Sequence, residues 1–289
     1  MPKQTAKAKP TTKAMPTDPR KRFRTSWGRW VCYGLIGLAV LVLGYFEIAK
    51  PTLTEDAVLQ PLLTMTVTRL VGAAVFLAIL LYEGYRVLNP IRRPFLKSLL
   101  FILPPLAVVI NNMPILSMLW GDAYLIHTEW QYLFWFAMEC LSIGLFEELA
   151  FRGVVLLMLA EKRHATRRDL FLCIILSSAV FGLVHLTNLL TGSGFGAVIQ
   201  QIGYSFLIGA MCSVVLYRTA NLWLCVLLHA IYDFCGSLVP TLGAGTWWDT
   251  PTVVFTVLLA LAVTVYMVVA LWRTDPASLD RIYPPRDSE

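Results

Sequence analysis

The sequence predicts an all-α polytopic membrane protein of about eight transmembrane helices. Three observations predict it. Hydrophobic residues make up 57% of the chain and charged ones only 15%, and the mean hydropathy is +0.65, well above the mix of a soluble domain. Eight apolar runs have spanning length, each long enough to cross a hydrocarbon core about 30 Å thick. The runs show no strict alternation. Because lipid offers the backbone no hydrogen-bond partners, they must be helices rather than barrel strands.

In order, the runs are Val31 to Ala49, Leu62 to Tyr82, Leu99 to Trp120, Tyr132 to Ala160, Leu170 to Leu190, Phe195 to Tyr217, Leu222 to Pro240 and Val253 to Trp272. The third is interrupted by Pro104, Pro105, Asn111, Asn112 and Pro114, and the sixth carries Gln200 and Gln201. Before the first run stand Lys3, Lys7, Lys9, Lys13, Arg20, Lys21, Arg22, Arg24 and Arg29 against one acid, Asp18. That bias holds the N-terminus in the cytoplasm. The loops then alternate. Arg86, Arg92, Arg93 and Lys97, later Lys162, Arg163, Arg167 and Arg168, then Arg218 and Arg273 fall on the cytoplasmic side, while Lys50, Glu55, Asp56, Asp122, Glu129 and Asp249 fall opposite. Both termini are expected in the cytoplasm.

The net charge of +6 thus follows from topology and gives no reason to invoke nucleic acid. Membrane lipids are the expected surroundings, with the plasma membrane as the expected location. The first run is too long for a removable signal peptide and lacks a small-residue cleavage site, so it reads as a permanent anchor. Four regions are expected: a disordered basic tail at 1–29, three helices at 30–129, a polar-bearing core of four helices at 130–240, and a last helix with a cytoplasmic tail at 241–289. All six cysteines fall inside predicted spans without a CxxC pair, which suggests neither a disulfide framework nor a thiolate metal site.

Ionisable groups inside a membrane cost about 2.5 to 3.5 kcal/mol each on insertion scales, so a cluster of them needs compensation or a function. Spans four, five and seven hold such a cluster. In "LFEELAFRG", helical geometry puts Glu148 and Arg152 on nearly one face and turns Glu147 about 100° away. One acid can then pair with the arginine while the other faces a different neighbour. Span five ends in "AVFGLVHLTN", with Phe181 one turn before His185, and span seven reads "LLHAIYDFC", with His229 and Asp233 four apart on one face. Any single member could be an ordinary interhelical polar contact. Six such groups on three helices point to a shared site.

Three residues lie outside that set. Arg69 in span two reads as a structural pairing partner for an acid, or as a group lining the site. Glu139, about 80° from Glu147 on the side away from Glu148, reads as an interfacial or channel-lining group. Asn188 could orient His185 or end its helix.

Glu147-Glu148-x-x-x-Arg152, Phe181-x-x-x-His185 and His229-x-x-x-Asp233 resemble, in order, the three motifs of the CPBP family of CAAX proteases and bacteriocin-processing enzymes, also called Abi, which includes the type II CAAX prenyl endopeptidases. The resemblance covers roughly residues 130 to 240. It implies intramembrane proteolysis of a membrane-associated peptide or protein. Carried over, Glu147 activates water together with His185, Glu148 and Arg152 hold the site, and His229 with residue 233 stabilises the oxyanion. The chemistry agrees, since hydrolysis needs a base near a water and donors aimed at the developing charge. An ionised Asp233 cannot donate, so it must be protonated, orient His229, or bind a metal. No cofactor is favoured. The alternative is zinc held by Glu147, His185 and His229, a donor set that suits catalytic zinc although HExxH is absent. Two other classes compete with an enzyme: a bacteriocin-immunity or binding protein on the same scaffold, and a proton-coupled transporter, for which no inverted repeat is evident.

Overall fold

The computed structural model describes residues 26–49, 51–88, 95–161, 163–246 and 250–283. The predicted basic tail up to residue 25, the loop residues Lys50, Arg92, Arg93, Lys162 and Asp249, and the final residues 284–289 lie outside it.

Every predicted run contains helix, the third in two pieces. Helix α1 is Ser26–Ala49, α2 is Leu59–Glu83 and α3 is Phe95–Asn111, followed by the short α4, Ile115–Trp120. The third predicted span is therefore broken. Pro104 and Pro105 sit inside a helix of 17 residues, and Asn112, Met113 and Pro114 separate it from α4. The break has a polar use. Asn111 Nδ2 donates to Thr256 Oγ1 at 2.9 Å and Asn112 Nδ2 donates to the Tyr232 carbonyl at 3.0 Å, tying α3 to helices distant in sequence.

The fourth run forms α5, Trp130–Glu147, which continues without interruption through a π-helical stretch, Glu148–Leu156, into α6, Leu157–Glu161. Helix α7 is Arg167–Val184 and tightens into a 3-10 turn at His185–Leu189. Thr166 and Asp169 start it with a reciprocal capping box, each side chain accepting from the other's backbone N–H, which satisfies two orphan donors. Helices α8, Phe195–Thr219, and α9, Leu222–Leu242, are joined by only Ala220 and Asn221. Ala220 takes the left-handed conformation at φ 52°, costing about 1 kcal/mol or more but turning the chain back in two residues. Helix α10 is Thr250–Trp272.

Among the described residues, five helical segments are long and apolar enough to cross a membrane: Leu59–Glu83, Arg167–Leu189, Phe195–Thr219, Leu222–Leu242 and Thr250–Trp272. The chain is an all-α polytopic integral membrane protein. A minor addition is a two-stranded antiparallel pair, β1 (Ala123–Leu125) with β2 (Gly243–Gly245), in register Ala123 to Gly245. Nothing in the sequence marks it, because three residues carry no period.

Helix α5 packs between α2 and α9, and α7 packs on α8, with the π-helical stretch touching α2, α7, α8 and α9. The core lies here. All six cysteines are buried and free, filling space as small apolar groups. After α10 the chain folds back as a 3-10 turn, Pro276–Arg281. It buries Leu279 and Ile282 completely. The Ile282 carbonyl accepts from Arg86 N at 2.7 Å, and the Tyr283 hydroxyl donates to the Leu157 carbonyl at 3.3 Å.

Candidate active site

Glu147 closes α5 and Glu148 opens the π-helical stretch, so the two adjacent carboxylates straddle a change of helical pitch. Short π stretches inside α-helices gather at functional sites. Their wider turn rotates successive side chains by less than an α-helix does. Helix α9 brings His229 to this point because α5 lies unusually close to it. A Cβ at Gly144 would stand 3.0 Å from Ala230 N and 3.0 Å from the Val226 carbonyl oxygen, so the approach needs a glycine.

His229 is the hub. Its Nδ1 donates to Glu148 Oε1 at 2.7 Å, while Nε2 faces Glu147 Oε2 at 3.3 Å and Asp233 Oδ2 at 3.6 Å. The spacing allows Glu148 to pair with Arg152, and it does; beyond that, both glutamates reach one imidazole, which presents its two nitrogens to different sides. Glu148 is fully buried, whereas the Glu147 and Asp233 side chains keep 15% and 22% of their exposure. That difference decides which carboxylate a substrate could meet.

Arg152 Nη1 lies 2.9 Å from Glu148 Oε1. Neither terminal guanidinium nitrogen makes a hydrogen bond among the described residues, and Glu148 Oε2 also has no hydrogen-bond partner there. The guanidinium is held by charge and by the ring of Phe181, whose centroid is 4.3 Å from Cζ. The Phe181 ring in turn meets the rings of His185 at 5.3 Å and His229 at 5.9 Å, both edge to face.

His185 makes its hydrogen bond within its own helix. Its Nδ1 meets the Phe181 carbonyl oxygen at 3.0 Å, and no hydrogen bond or ion pair joins it to Glu147 or His229 among the described residues. A carbonyl only accepts, so Nδ1 carries the proton and Nε2 of the neutral ring is left as an acceptor. Asn188 bonds Gln201 Oε1 at 2.8 Å rather than His185.

Among the described residues no group of three His, Cys, Asp or Glu is disposed to hold a metal ion. Both nitrogens of His229 are turned to carboxylates, so Glu147, His185 and His229 as they stand do not present a shared zinc set.

Around this centre, Arg69 Cζ lies 5.3 Å from the centroid of the Phe146 ring, and Glu139 sits within electrostatic reach of both Arg69 and Asp233. Two α8 residues were not legible as site neighbours. The ring of Tyr204 packs 6.0 Å from that of Tyr232 and lies within electrostatic reach of Asp233 and Glu147. Gly209 abuts Arg152. A glycine in the middle of a helix is the signal that could have flagged the second.

Residues 129–235 match the family model described as type II CAAX prenyl endopeptidase Rce1-like, a segment that runs from the start of α5 past Asp233. No curated protein and no solved structure matches the chain.

Proposed function

Because the chain carries, over residues 129–235, a domain of the CAAX protease family, we propose that it is an intramembrane endopeptidase that cuts a peptide bond in a membrane-associated protein or peptide by means of a glutamate-activated water. The observation that carries this reading is His229 held between a buried Glu148 and a partly exposed Glu147. Glu147 is the base: of the two adjacent glutamates it is the accessible one, and it has the central imidazole beside it. His185, with Nε2 free to accept, holds the water. Glu147 takes one proton from that water as the new C–O bond forms on the scissile carbonyl. The oxyanion then meets the Nε2–H of His229, a ring whose two nitrogens both face carboxylates and are thereby placed as donors. Collapse breaks the C–N bond, and Glu147 passes its proton to the leaving amine.

In this reading Glu148 and Arg152 hold the His229 ring, and Asp233, 3.6 Å from Nε2, orients it. No step uses a metal. The wider architecture we propose is eight spans with both termini in the cytoplasm, three helices before residue 130 supporting the core at 130–240, and residence in the cell membrane. The basic loops support that orientation.

The test compares membranes of cells carrying the wild-type chain or Glu147→Gln by peptide mass spectrometry, with a farnesylated CAAX-terminated peptide as a second, purified probe. At least one membrane-associated protein or peptide should accumulate uncut in the variant. If protection against a bacteriocin survives Glu147→Gln, the immunity reading replaces this one. Ion flux across vesicles that depends on Glu147, with nothing cut, replaces it with a transporter.

A further inference from the structure

Helix α8 supplies none of the six site residues, yet it forms the wall against which Arg152 rests. A Cβ added at Gly209 would stand 2.7 Å from Arg152 Nη2, 3.1 Å from Phe181 Cδ1 and 3.3 Å from Ser178 Oγ. The first distance is shorter than side chains tolerate, so the guanidinium lies against the α8 backbone only because position 209 has no side chain. The far end of an arginine usually yields to such pressure by changing rotamer. This one has nowhere to go: Arg152 is 1% exposed, Phe181 covers the guanidinium at 4.3 Å, and Nη1 is fixed 2.9 Å from Glu148 Oε1. Any displacement is passed on, because the same Oε1 accepts the His229 Nδ1–H. Among the described residues Ser178 Oγ and both terminal nitrogens of Arg152 are buried without hydrogen bonds, so the guanidinium is placed by its charge contact with Glu148, the Phe181 ring and steric fit against α8.

We propose that Gly209 is a positioning residue: by withholding a side chain it seats Arg152 on Glu148, and through that carboxylate it sets the His229 ring against Glu147. The kinetic consequence rests on the hydrolase reading, whereas the seat does not. An ordinary packing role for the glycine makes a different forecast. In a helix that merely needs room, Ala at 209 acts independently of residue 152. With a seat, its effect disappears when the arginine is shortened.

The experiment uses the full chain in detergent. The imidazole N–H proton that His229 donates to Glu148 is followed by NMR and assigned by its absence from His229→Gln. Gly209→Ala should shift or broaden that resonance, while the same change on an Arg152→Lys background should leave it where Arg152→Lys alone puts it. An unmoved resonance in Gly209→Ala overturns the proposal. With the farnesylated CAAX peptide, Gly209→Ala should lower kcat about tenfold or more with KM within about twofold, since small misplacements of a site cost this much. On the Arg152→Lys background the change should be under about twofold, residues in contact being the ones that couple. Equal losses on both backgrounds overturn it. Should Gly209→Ala fail to fold while the double variant folds, the clash is supported; if both fail, helix packing alone demands the glycine and the proposal falls. A wild-type chain that cuts no probe sinks the hydrolase reading and leaves the NMR comparison to decide the seat.

Discussion

A single carboxylate oxygen, Glu148 Oε1, lies 2.7 Å from His229 Nδ1 and 2.9 Å from Arg152 Nη1. Glu148 and His229 are thus joined across two helices at zero exposure for the acid, while the neighbouring Glu147 remains partly open. Adjacent residues of one type thus differ in burial, and the proposed division between support and chemistry rests on that difference.

Substituting the two glutamates should separate those roles. Glu148→Gln leaves the Arg152 charge buried without its counter-ion, which should cost about 3 to 5 kcal/mol. Glu147→Gln, at a partly exposed position, should cost under about 1 kcal/mol and still abolish cleavage. Thermal unfolding in detergent beside a cleavage assay reads both. Equal destabilisation by the two variants would contradict the division.

Phe181 is the common wall of Arg152, His185 and His229. Phe181→Ala should destabilise the protein by about 3 to 5 kcal/mol, the range for deleting a buried ring, and Phe181→Leu by clearly less. Both should lose cleavage, because Leu restores volume without the ring face that the guanidinium covers.

A metal-free mechanism forecasts that dialysis against a chelator leaves turnover unchanged and that purified protein carries no stoichiometric zinc. Elemental counting per chain checks this, and a bound ion whose removal stops cleavage would reverse the assignment of Glu147 as base.

Outside the spans, Asp56 caps the start of α2. Its Oδ1 accepts from Val58 N at 2.8 Å and Leu59 N at 3.0 Å, and Oδ2 accepts from the Tyr132 hydroxyl at 3.0 Å. The backbone bond from Leu59 first, then those from Val58 and Tyr132, hold its carboxyl below the ordinary 3.8. A depressed folded value means that the contribution is fully present above the unfolded value and is lost as pH falls through the folded one. Asp56→Asn should therefore lower the melting temperature at neutral pH and narrow its gap from wild type below about pH 3.8. A gap that stays constant down to the most acid pH would refute it.

Deleting residues 276–289 removes Leu279 and Ile282 from full burial and the Tyr283 bond to Leu157. His164, which bridges the Ala160 carbonyl at 2.7 Å and Asp280 at 2.8 Å, loses one side of its bridge. Hydrogen exchange at Leu157–Glu161 should accelerate, since the strap pins the end of the helix that carries the site. Unaltered exchange there would show that the strap is dispensable.

The sequence by itself determined the helices and singled out the residues of the candidate site. Lipid leaves a backbone no choice but to satisfy itself locally, and it makes charged groups so costly that Glu147, Glu148, Arg152, His185, His229 and Asp233 stood out against apolar runs. Spacing also identified the Glu148–Arg152 pair, because i to i+4 neighbours are set within one helix. Tertiary structure alone decided what depends on how distant helices meet: both glutamates on one imidazole, Asn188 on Gln201 instead of His185, Asn112 on the Tyr232 carbonyl, the π-helical pitch at the first motif, and the α8 glycine under Arg152. Side-chain partners across helices are chosen by packing distances of a few tenths of an ångström, and a one-dimensional period holds no record of those.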